Sequence, residues 1–408
     1  MLECCVIFNP ASGGGRGEAR WRRAEPAFAA ALAAGGYSLQ VLRTACPGDA
    51  TRLAQEAAER GAAAVVAAGG DGLANEVVCG LMAAGEAARG AGPIPRLGLL
   101  PIGSGNDFAK THGWSDDAAA AARRVVSGET APLDVGTLTL LGPADGGSGG
   151  GVNGRGNAGT RPPARGAGDS RADARVQQQR QQQQPAGERP RRQRFFLNVA
   201  SCGVGAAAVR LVERYKWAWP LCYQLAAVHA LLCWRPRCDW EASADGGPWR
   251  RVAAPALLAA GNGSFWGGGF RICPGADSGD GALSITTAAG LGLWDFVFRG
   301  HLLRSGRHLS LRGVEAFEIR SQLEVRPVPR LSSGAESGSG GAGDGRGGGG
   351  GRSGKGGSRD GAGGGPAAAG LVPAADAARA TVWETDGEPA GEGAAIVGVV
   401  AGALRLCV

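Results

Sequence analysis

The sequence predicts an N-terminal α/β domain with a parallel, Rossmann-like sheet, followed by a C-terminal domain that is a β-rich sandwich. Three observations lead to this prediction. Apolar runs alternate with helical stretches over residues 1–132, and three of these runs end in glycine-rich loops. After residue 194 the chain changes to short strands with few helices. Alternating strands and helices are typical of a parallel sheet covered on both faces, whereas successive short strands are typical of a sandwich.

The N-terminal domain is predicted to occupy residues 1–132 and to begin with a strand. That strand is an apolar run ending at Asn9-Pro10 and a cluster of glycines, and a helical stretch follows it. The same order then repeats along the chain. The predicted strands are residues 4–8, 38–43, 64–68 and 97–100, and the predicted helices are residues 18–34, 49–60 and 74–84.

The C-terminal domain is predicted to comprise residues 133–141, 195–330 and 371–408. Its one predicted helix, residues 217–234, is apolar almost throughout, so it is either a packed core helix or the wall of an apolar ligand pocket. The predicted strands are residues 195–200, 249–260, 282–287, 314–319, 323–327, 381–384 and 395–400.

Two low-complexity segments interrupt this second domain. Residues 142–194 are rich in glycine, arginine and glutamine, and residues 331–370 are rich in glycine. Neither has enough apolar residues to offset the entropy lost on ordering, so both are predicted to be disordered inserts. Between residues 150 and 194, ten arginines and three acidic residues give the +7 that equals the formal charge of the chain. The folded part is therefore close to neutral, and no nucleic-acid partner is expected, although this insert could contact RNA or anionic lipid.

Cysteine usage and hydropathy indicate the compartment. The ten cysteines form no CxxC pair and no cluster with histidine at zinc-binding spacing, which is typical of a reducing compartment. The first residues lead directly into a predicted strand, so no signal peptide is expected, and no apolar run reaches the roughly 18 residues of a membrane span. We expect a cytoplasmic protein, or an organellar one if a transit peptide is missing from this chain.

The three glycine-rich loops carry the strongest chemical signal. They are residues 9–15, 69–76 and 100–109, and each follows a predicted strand. Such loops gather at the carboxyl edge of a parallel sheet, where their backbone N–H groups can approach phosphate oxygens closely. Neither the Walker pattern GxxxxGK[ST] nor a GxGxxG that opens a predicted helix occurs. Their absence argues against a P-loop NTPase and a Rossmann dehydrogenase.

These loops resemble the NPxSG, GGDGT and LPxGTxNDFA motifs of the diacylglycerol kinase catalytic domain. The resemblance covers the chain apart from the two inserts. The sequence looks most similar to plant sphingoid long-chain-base kinases, and it also resembles bacterial diacylglycerol kinase-like lipid kinases. The further matching motifs are residues 133–136, 198–203, 261–262, 267–269, 274–277, 279–281, 386–388 and 402–404.

The resemblance implies an ATP-dependent lipid kinase that binds ATP, Mg²⁺ and a lipid between its two domains and meets the membrane peripherally. Asp71 and the pair Asp386 and Glu388 match positions proposed to be catalytic, and either could be the general base that accepts the hydroxyl proton. Asp280 matches the Mg²⁺ position of the bacterial enzymes. The positions assigned to nucleotide binding are Asn9, Ser12, Gly13, Thr44, Gly69, Gly70, Gly72, Leu73, Asn75, Glu76, Gly103, Ser104 and Asn106.

The lipid and several side-chain roles remain open at this point. Sphingoid base and diacylglycerol are the leading substrates, but residues 206–208 are all alanine where animal sphingosine kinases carry an acidic residue that meets the amine. Asp134 and Asp277 could either cap turns or touch substrate, and Asn106 and Asp107 could simply brace the third loop. A catalytically inactive lipid-binding or scaffold protein of the same fold is the alternative function. A kinase acting on a soluble nucleotide such as NAD would share the second loop but explains the other motifs poorly.

Overall fold

Two β-sheets form the framework of the fold, one of ten strands and one of six. In this computed structural model the residues described are 1–88, 93–141, 191–215, 222–234, 237–290, 293–330 and 381–408. The strands are β1 Leu2–Phe8, β2 Tyr37–Arg43, β3 Ala64–Gly69, β4 Arg96–Pro101, β5 Thr130–Leu140, β6 Arg191–Phe196, β7 Val199–Gly203, β8 Asp239–Ala244, β9 Arg250–Val252, β10 Pro255–Gly261, β11 Leu283–Ala289, β12 Val314–Ile319, β13 Gln322–Val328, β14 Val382–Thr385, β15 Glu388–Glu392 and β16 Ala395–Cys407.

The helices lie mainly between the N-terminal strands. They are α1 Ser12–Gly15, α2 Gly17–Ala34, α3 Asp49–Glu59, α4 Asp71–Ala87, α5 Asp107–Thr111, α6 Ala118–Ser127, α7 Val204–Tyr215, α8 Cys222–Cys233 and α9 Leu293–Ser305, followed by a 3₁₀ turn at Arg307–Ser310. The first of these is a single turn in which Gly13 and Gly14 have φ of 61° and 71°. In the part of the chain that the structure describes, no helix has the length and apolar character of a membrane span.

The larger sheet changes from parallel to antiparallel across its width. Its N-terminal part has the order β2-β1-β3-β4, with every neighbouring pair parallel. Strand β16 follows β4 in parallel through a single pair, Leu406 with Leu97. Strands β5 and β13 pair with β16 in antiparallel orientation, and every further pair in this part of the sheet is also antiparallel. This confirms the predicted parallel α/β domain and extends its sheet into the C-terminal half of the chain.

The parallel strands are buried because helices cover both of their faces. All six residues of β3 are buried, and so are residues 4–8 of β1. Such uninterrupted apolar runs are typical of strands in a parallel sheet. Helix α3 buries the apolar side of a mostly polar sequence, with Ala50, Leu53, Ala54 and Ala57 facing inwards.

The predicted C-terminal sandwich is also confirmed. The smaller sheet has the order β12-β11-β10-β7-β14-β15, and all of its pairs are antiparallel. One core joins side chains of both sheets, including Phe196 and Leu323 from the larger and Ile285 from the smaller. Two tryptophans in this core are satisfied internally: Trp240 Nε1 donates to Thr381 Oγ1 at 3.2 Å, and Trp383 Nε1 donates to the Gly393 carbonyl at 2.9 Å.

Several predicted C-terminal elements differ from those observed. The single strand predicted at 195–200 is two strands, β6 and β7, and the one predicted at 249–260 is β9 and β10. Between β6 and β7 the chain passes from the larger sheet to the smaller one. Strand β8 and helices α7 and α9 were not predicted: α9 shows little helical periodicity, whereas the amphipathic period of α7 was missed in its alanine-rich sequence. The strand predicted at 395–400 continues to Cys407.

The predicted inserts and domain limits stay predictions. Residues 142–190 and 331–380 lie outside the described residues, so they include nearly all of both predicted inserts and the start of the segment predicted at 371–408. Strand β6 begins at Arg191, within the last four residues predicted to belong to the first insert. Of the predicted helix at 217–234, the described part forms α8, and residues 216–221 are not described.

Candidate active site

The three glycine-rich loops meet because β1, β3 and β4 are parallel neighbours whose carboxyl ends share one edge of the sheet. The second and third loops touch directly, since the Gly103 N–H donates to the Gly69 carbonyl at 2.9 Å. A Cβ atom on Gly103 would lie 2.3 Å from Gly70 Cα, so a glycine is required at this close approach. The loops therefore form one glycine-lined surface at the sheet edge.

Two side chains fix the shape of the third loop. Arg20, on α2, donates from Nη1 to the carbonyls of Ile102 at 2.7 Å and Gly103 at 2.9 Å. Asn106 has a left-handed backbone with φ of 54° and donates from Nδ2 to the Pro101 and Gly103 carbonyls at 3.2 and 3.3 Å. The loop carbonyls are thus bound within the protein, so the loop has a defined shape without a ligand.

Asp71 joins the second loop to the third and also lines the cleft. It begins α4, and its Oδ1 accepts the Phe108 N–H at 3.0 Å. Burial raises the pKa of Asp71 and the nearby charge of Asp107 raises it further, while the N–H groups of the third loop lower it. Asp71 is therefore both an anchor for the third loop and a carboxylate held at the phosphate-binding edge.

Asp107 links the N-terminal loops to the C-terminal domain. One carboxylate oxygen accepts from Lys110 Nζ at 2.9 Å, and the other accepts from the Gly268 N–H at 2.7 Å. Gly268 lies in a glycine turn between Trp266 and Phe270, which pair through backbone hydrogen bonds. From the sequence, Asp107 could either contact nucleotide or metal or brace its own loop, because nothing in its neighbourhood indicates a bond to residue 268.

The Asp386-Gly387-Glu388 turn enters the cleft from the smaller sheet. Asp386, with φ of 49°, accepts three backbone N–H groups, those of Leu197 at 2.7 Å and of Asn198 and Val199 at 2.9 Å each. Burial raises the pKa of Asp386 to about 7, and these three donors act in the opposite direction. Both carboxylate oxygens of Asp386 are therefore committed to holding the crossing between β6 and β7.

Glu388 stands in a different position. Its side chain is exposed, and its Oε1 lies 3.9 Å from where a Cβ atom on Gly72 would be. Glu388 therefore lies near the second loop, and both it and Asp71 line the cleft. Of the two acidic residues in the turn, Glu388 has the geometry of a group that can take a proton from a bound ligand.

A buried carboxyl group behind the turn was missed by sequence reasoning. Glu384 is fully buried in β14, where Ser201 Oγ donates to its Oε1 and the Gly387 N–H donates to its Oε2 at 2.9 Å. Burial raises the pKa of Glu384 to about 7, with these hydrogen bonds acting to lower it. No strand pattern signals it, because Asp386 lies beyond the end of β14 in a turn and the partner Ser201 is far away in the sequence.

The loops and the turn enclose a cleft of about 350 Å³ between the two halves of the chain. A second cavity of about 120 Å³ has an almost wholly apolar lining. The two share Ala208, Ala227, Trp266 and Phe270 in their walls. The predicted site residues that line the cleft are Asn9, Ser12, Gly13, Gly70, Asp71, Gly72, Leu73, Gly103, Ser104, Asp386 and Glu388.

The other predicted site residues lie outside the lining of the cleft. Glu76 accepts the N–H groups of Gly48 and Ala50 at 3.1 and 3.2 Å, so it caps the start of α3. Thr44 is buried, and its N–H donates to the Phe8 carbonyl at 3.0 Å. Three further residues predicted to bind nucleotide, Gly69, Asn75 and Asn106, also lie outside the lining of the cleft.

The predicted metal position, Asp280, is exposed and lies away from the cleft. Its Oδ1 accepts the Ala282 N–H at 2.9 Å, and nearby Asp277 Oδ1 accepts the Gly279 N–H at 3.1 Å. Asp134 is buried and accepts the N–H groups of Gly281 and Gly402. These carboxylates all cap turns, and no group of three or more His, Cys, Asp or Glu suited to a metal ion occurs within the described ranges.

This geometry defines a two-domain protein in which glycine loops of an α/β domain face a β-sandwich across a cleft. Residues 3–138 match the family model of the diacylglycerol kinase catalytic domain, and residues 198–342 match that of the YegS C-terminal NAD kinase beta sandwich-like domain. The chain is therefore similar to a diacylglycerol kinase catalytic domain in its N-terminal part and to a YegS-type domain in its C-terminal part, and the first similarity agrees with the sequence motifs.

Individual relatives match over part of the chain. A diacylglycerol kinase of Bacillus subtilis is 38% identical over 139 residues, which are 34% of this chain and 42% of the relative. A protein of Cronobacter sakazakii named "Probable lipid kinase YegS-like" is 41% identical over 100 residues, 24% of this chain and 32% of the relative. The matched segments thus span less than half of either relative. The crystal structure of a diacylglycerol kinase from Bacillus anthracis strain Sterne has the same fold, with a TM-score of 0.57 and 17% identity, and the match covers 100% of this chain and 96% of that one.

Proposed function

We propose that this chain is an ATP-dependent lipid kinase, which transfers the γ-phosphate of ATP to the hydroxyl group of a membrane lipid. One observation carries the proposal: the cleft between the glycine loops and the Asp386 turn adjoins an apolar cavity with which it shares four wall residues. A substrate with a reactive hydroxyl and a hydrocarbon tail fits such a pair of compartments, with the hydroxyl near the loops and the tail in the cavity. The names of the relatives, diacylglycerol kinase and lipid kinase, support the same activity.

In this proposal the glycine loops bind the phosphates of ATP. Phosphoryl transfer depends on positioning and on offsetting negative charge, and closely packed loop N–H groups serve both needs. Mg²⁺ in such sites is held by one or two carboxylates together with phosphate oxygens, and Asp71, which lines the cleft, would supply such a carboxylate. The ion would offset the charge of the phosphates. The assignment of Asp280 to Mg²⁺ remains a prediction, as do nucleotide contacts for Thr44, Asn75 and Glu76.

We assign the general base to Glu388 and a positioning role to Asp386. Asp386 has both oxygens bound by backbone N–H groups, and Asp71 already accepts the Phe108 N–H. Glu388 is exposed to the cleft and can accept the proton that leaves the lipid hydroxyl as the phosphate is attacked.

Diacylglycerol is the substrate that the cavity supports best. Ala206 and Ala208 are buried on α7, and Ala208 lies where the polar cleft meets the apolar cavity. An alanine there offers no counter-charge to the cationic amine of a sphingoid base. Among the described residues that line the apolar cavity, the one carboxylate is that of Asp295, which is paired with Arg299 at 2.9 Å. A neutral substrate therefore needs no counter-charge from α7, and the similarity to plant long-chain-base kinases remains a weaker prediction.

The test is an assay with labelled ATP, Mg²⁺ and mixed micelles that carry diacylglycerol, sphingoid base or ceramide. We expect label in diacylglycerol and its loss in Asp71→Ala. Glu315→Gln is the matched control, because Glu315 is an exposed carboxylate on β12 away from the cleft. Label in the sphingoid base alone would overturn the choice of lipid. Absence of label from every lipid would overturn the kinase and leave the inactive lipid-binding protein of the same fold.

A further inference from the structure

Two aromatic side chains are exposed on one face of helix α9. Trp294 is 70% exposed and Phe298 is 68% exposed, and their rings stack with centroids 5.7 Å apart. Residues four apart share one face of a helix, so the two rings form a single apolar surface, which we call the aromatic patch. Large exposed aromatic pairs of this kind are unusual on a protein surface unless a partner covers them.

The same helix is a wall of the apolar cavity. Asp295, Arg299, Gly300 and Leu303 line that cavity from α9. The helix therefore has the cavity on one side and the aromatic patch on another. A lipid that moves between a bilayer and the cavity would have to pass close to this helix.

The chain segment that contains the patch carries mostly positive charge. Over residues 293–312 the chain has four arginines and one acidic residue, Asp295, which is paired with Arg299. The other three arginines, Arg304, Arg307 and Arg312, have exposed side chains. Surfaces that bind at the interface of an anionic membrane typically combine exposed tryptophan and phenylalanine with arginine.

We propose that α9 is the membrane-docking surface of this protein: Trp294 and Phe298 insert at the lipid–water boundary and the arginines that follow contact anionic headgroups. Docking there places the apolar cavity at the bilayer surface, so that a lipid tail can enter without crossing water. The inference rests on the proposed lipid kinase for the reason why a bilayer is approached. The binding itself requires no catalysis and is measured without ATP.

The experiment is co-sedimentation of the full-length chain with vesicles of phosphatidylcholine and phosphatidylserine at 4:1. Burial of two aromatic side chains predicts at least about tenfold weaker partitioning for Trp294→Ser/Phe298→Ser. The matched control is Trp249→Ser, which removes an exposed tryptophan that Arg326 covers at 3.9 Å on another part of the surface. This control should bind as the wild type does. The arginine-rich segment 142–194 is present in every variant, so it contributes equally.

A double variant that binds vesicles as tightly as the wild type would overturn the proposal, and so would an equal loss in the Trp249 variant. Quenching of tryptophan fluorescence by brominated phospholipids provides a second readout. Trp294→Phe keeps an aromatic side chain but removes the indole, so this variant should lose the part of the quenching that Trp294 gives in the wild type. Unchanged quenching would also contradict docking through α9. Phosphorylation of a short-chain, monomeric diacylglycerol should be equal in wild type and double variant, and its absence in both would overturn the kinase while leaving the docking result intact.

Discussion

At the scale of single residues, the cleft shows how environment gives chemically similar side chains different roles. Glu384, Asp386 and Glu388 occupy alternate positions in one short motif. The first is buried against Ser201, the second holds three backbone N–H groups, and the third is exposed. Only the last is exposed near the second loop, so Glu388 is the one of the three that suits the proposed role of proton acceptor.

The raised pKa of Glu384 predicts that stability falls as pH rises. The group keeps its proton in the folded state up to about pH 7, whereas an ordinary glutamate loses it near 4.5. Between these values the folded state binds more protons, so the free energy of unfolding decreases with pH and levels off above about 7. A shift of this size corresponds to at most about 3 kcal/mol. Chemical denaturation from pH 4.5 to 8 measures the slope.

Glu384→Gln isolates this contribution, because the amide can still accept the Gly387 N–H and can donate to Ser201 Oγ. The variant should show a smaller decrease in stability over the same pH range than the wild type. Identical pH profiles for the two proteins would mean that the pKa of Glu384 is the same in the folded and unfolded states, which would contradict the predicted shift.

Gly103→Ala should disturb the phosphate-binding surface. The added Cβ would lie 2.3 Å from Gly70 Cα and 2.7 Å from Asn106 Oδ1, so the second and third loops must move apart. Forced overpacking of this kind typically costs about 1–3 kcal/mol, and we expect ATP binding to weaken about tenfold or more. Isothermal titration with ATP measures this. Gly275→Ala is the control, since its Cβ would sit at an ordinary 3.6 Å from Ser284 Oγ; equal effects of both substitutions would contradict the account.

At the scale of elements, the cleft depends on contacts between loops that are far apart in the chain. The third loop is bound to α2 through Arg20, to α4 through Asp71 and to the 266–270 turn through Asp107. These bonds fix the N-terminal loops relative to the sandwich, so the two walls of the cleft keep a defined separation.

Asp107→Ala should loosen this connection. The substitution removes the buried carboxylate that accepts the Gly268 N–H and pairs with Lys110, and a hydrogen bond to a charged group contributes about 1.5–3 kcal/mol. We expect lower thermal stability and a reduced kcat/KM, measured by calorimetry and by the micelle assay. Lys110→Ala removes only the partly exposed ion pair and should change stability by less than about 1 kcal/mol. A larger effect of Lys110→Ala than of Asp107→Ala would contradict the role given to the Gly268 contact.

Sequence patterns predicted the N-terminal elements closely because buried parallel strands and amphipathic helices have distinct periods. The loops that line the cleft were predicted for the same reason, since each follows such a strand. The break between β6 and β7 could not be predicted, because the run 195–200 is apolar throughout apart from Asn198, and its crossing is held by Asp386 from about 190 residues away. Glu384 and the Asp107–Gly268 contact were missed because each depends on a tertiary partner rather than on local pattern.

At the scale of the whole molecule, strand β16 unites the two halves of the chain. Its first residues pair with β13 of the sandwich, and Leu406 pairs with Leu97 of the parallel sheet. Where β16 pairs with β5, a register shift between Val400 and Leu404 separates the part of β16 next to the sandwich from the part next to the parallel sheet. Within this shift the Gly402 N–H donates to Asp134. The cleft is therefore built on one continuous sheet with the smaller sheet closing over it, which suits a site whose two substrates bind to different halves.

The most direct test of the central claim is the transfer of labelled phosphate from ATP to diacylglycerol by Glu388→Gln, with ATP binding measured on the same preparations. The account predicts a fall in kcat of about 10²- to 10⁴-fold, the usual effect of losing a general base, with little change in ATP affinity and full activity in Glu315→Gln. Wild-type rates in Glu388→Gln would contradict the proposed proton transfer. No transfer by the wild-type chain would contradict the lipid kinase itself.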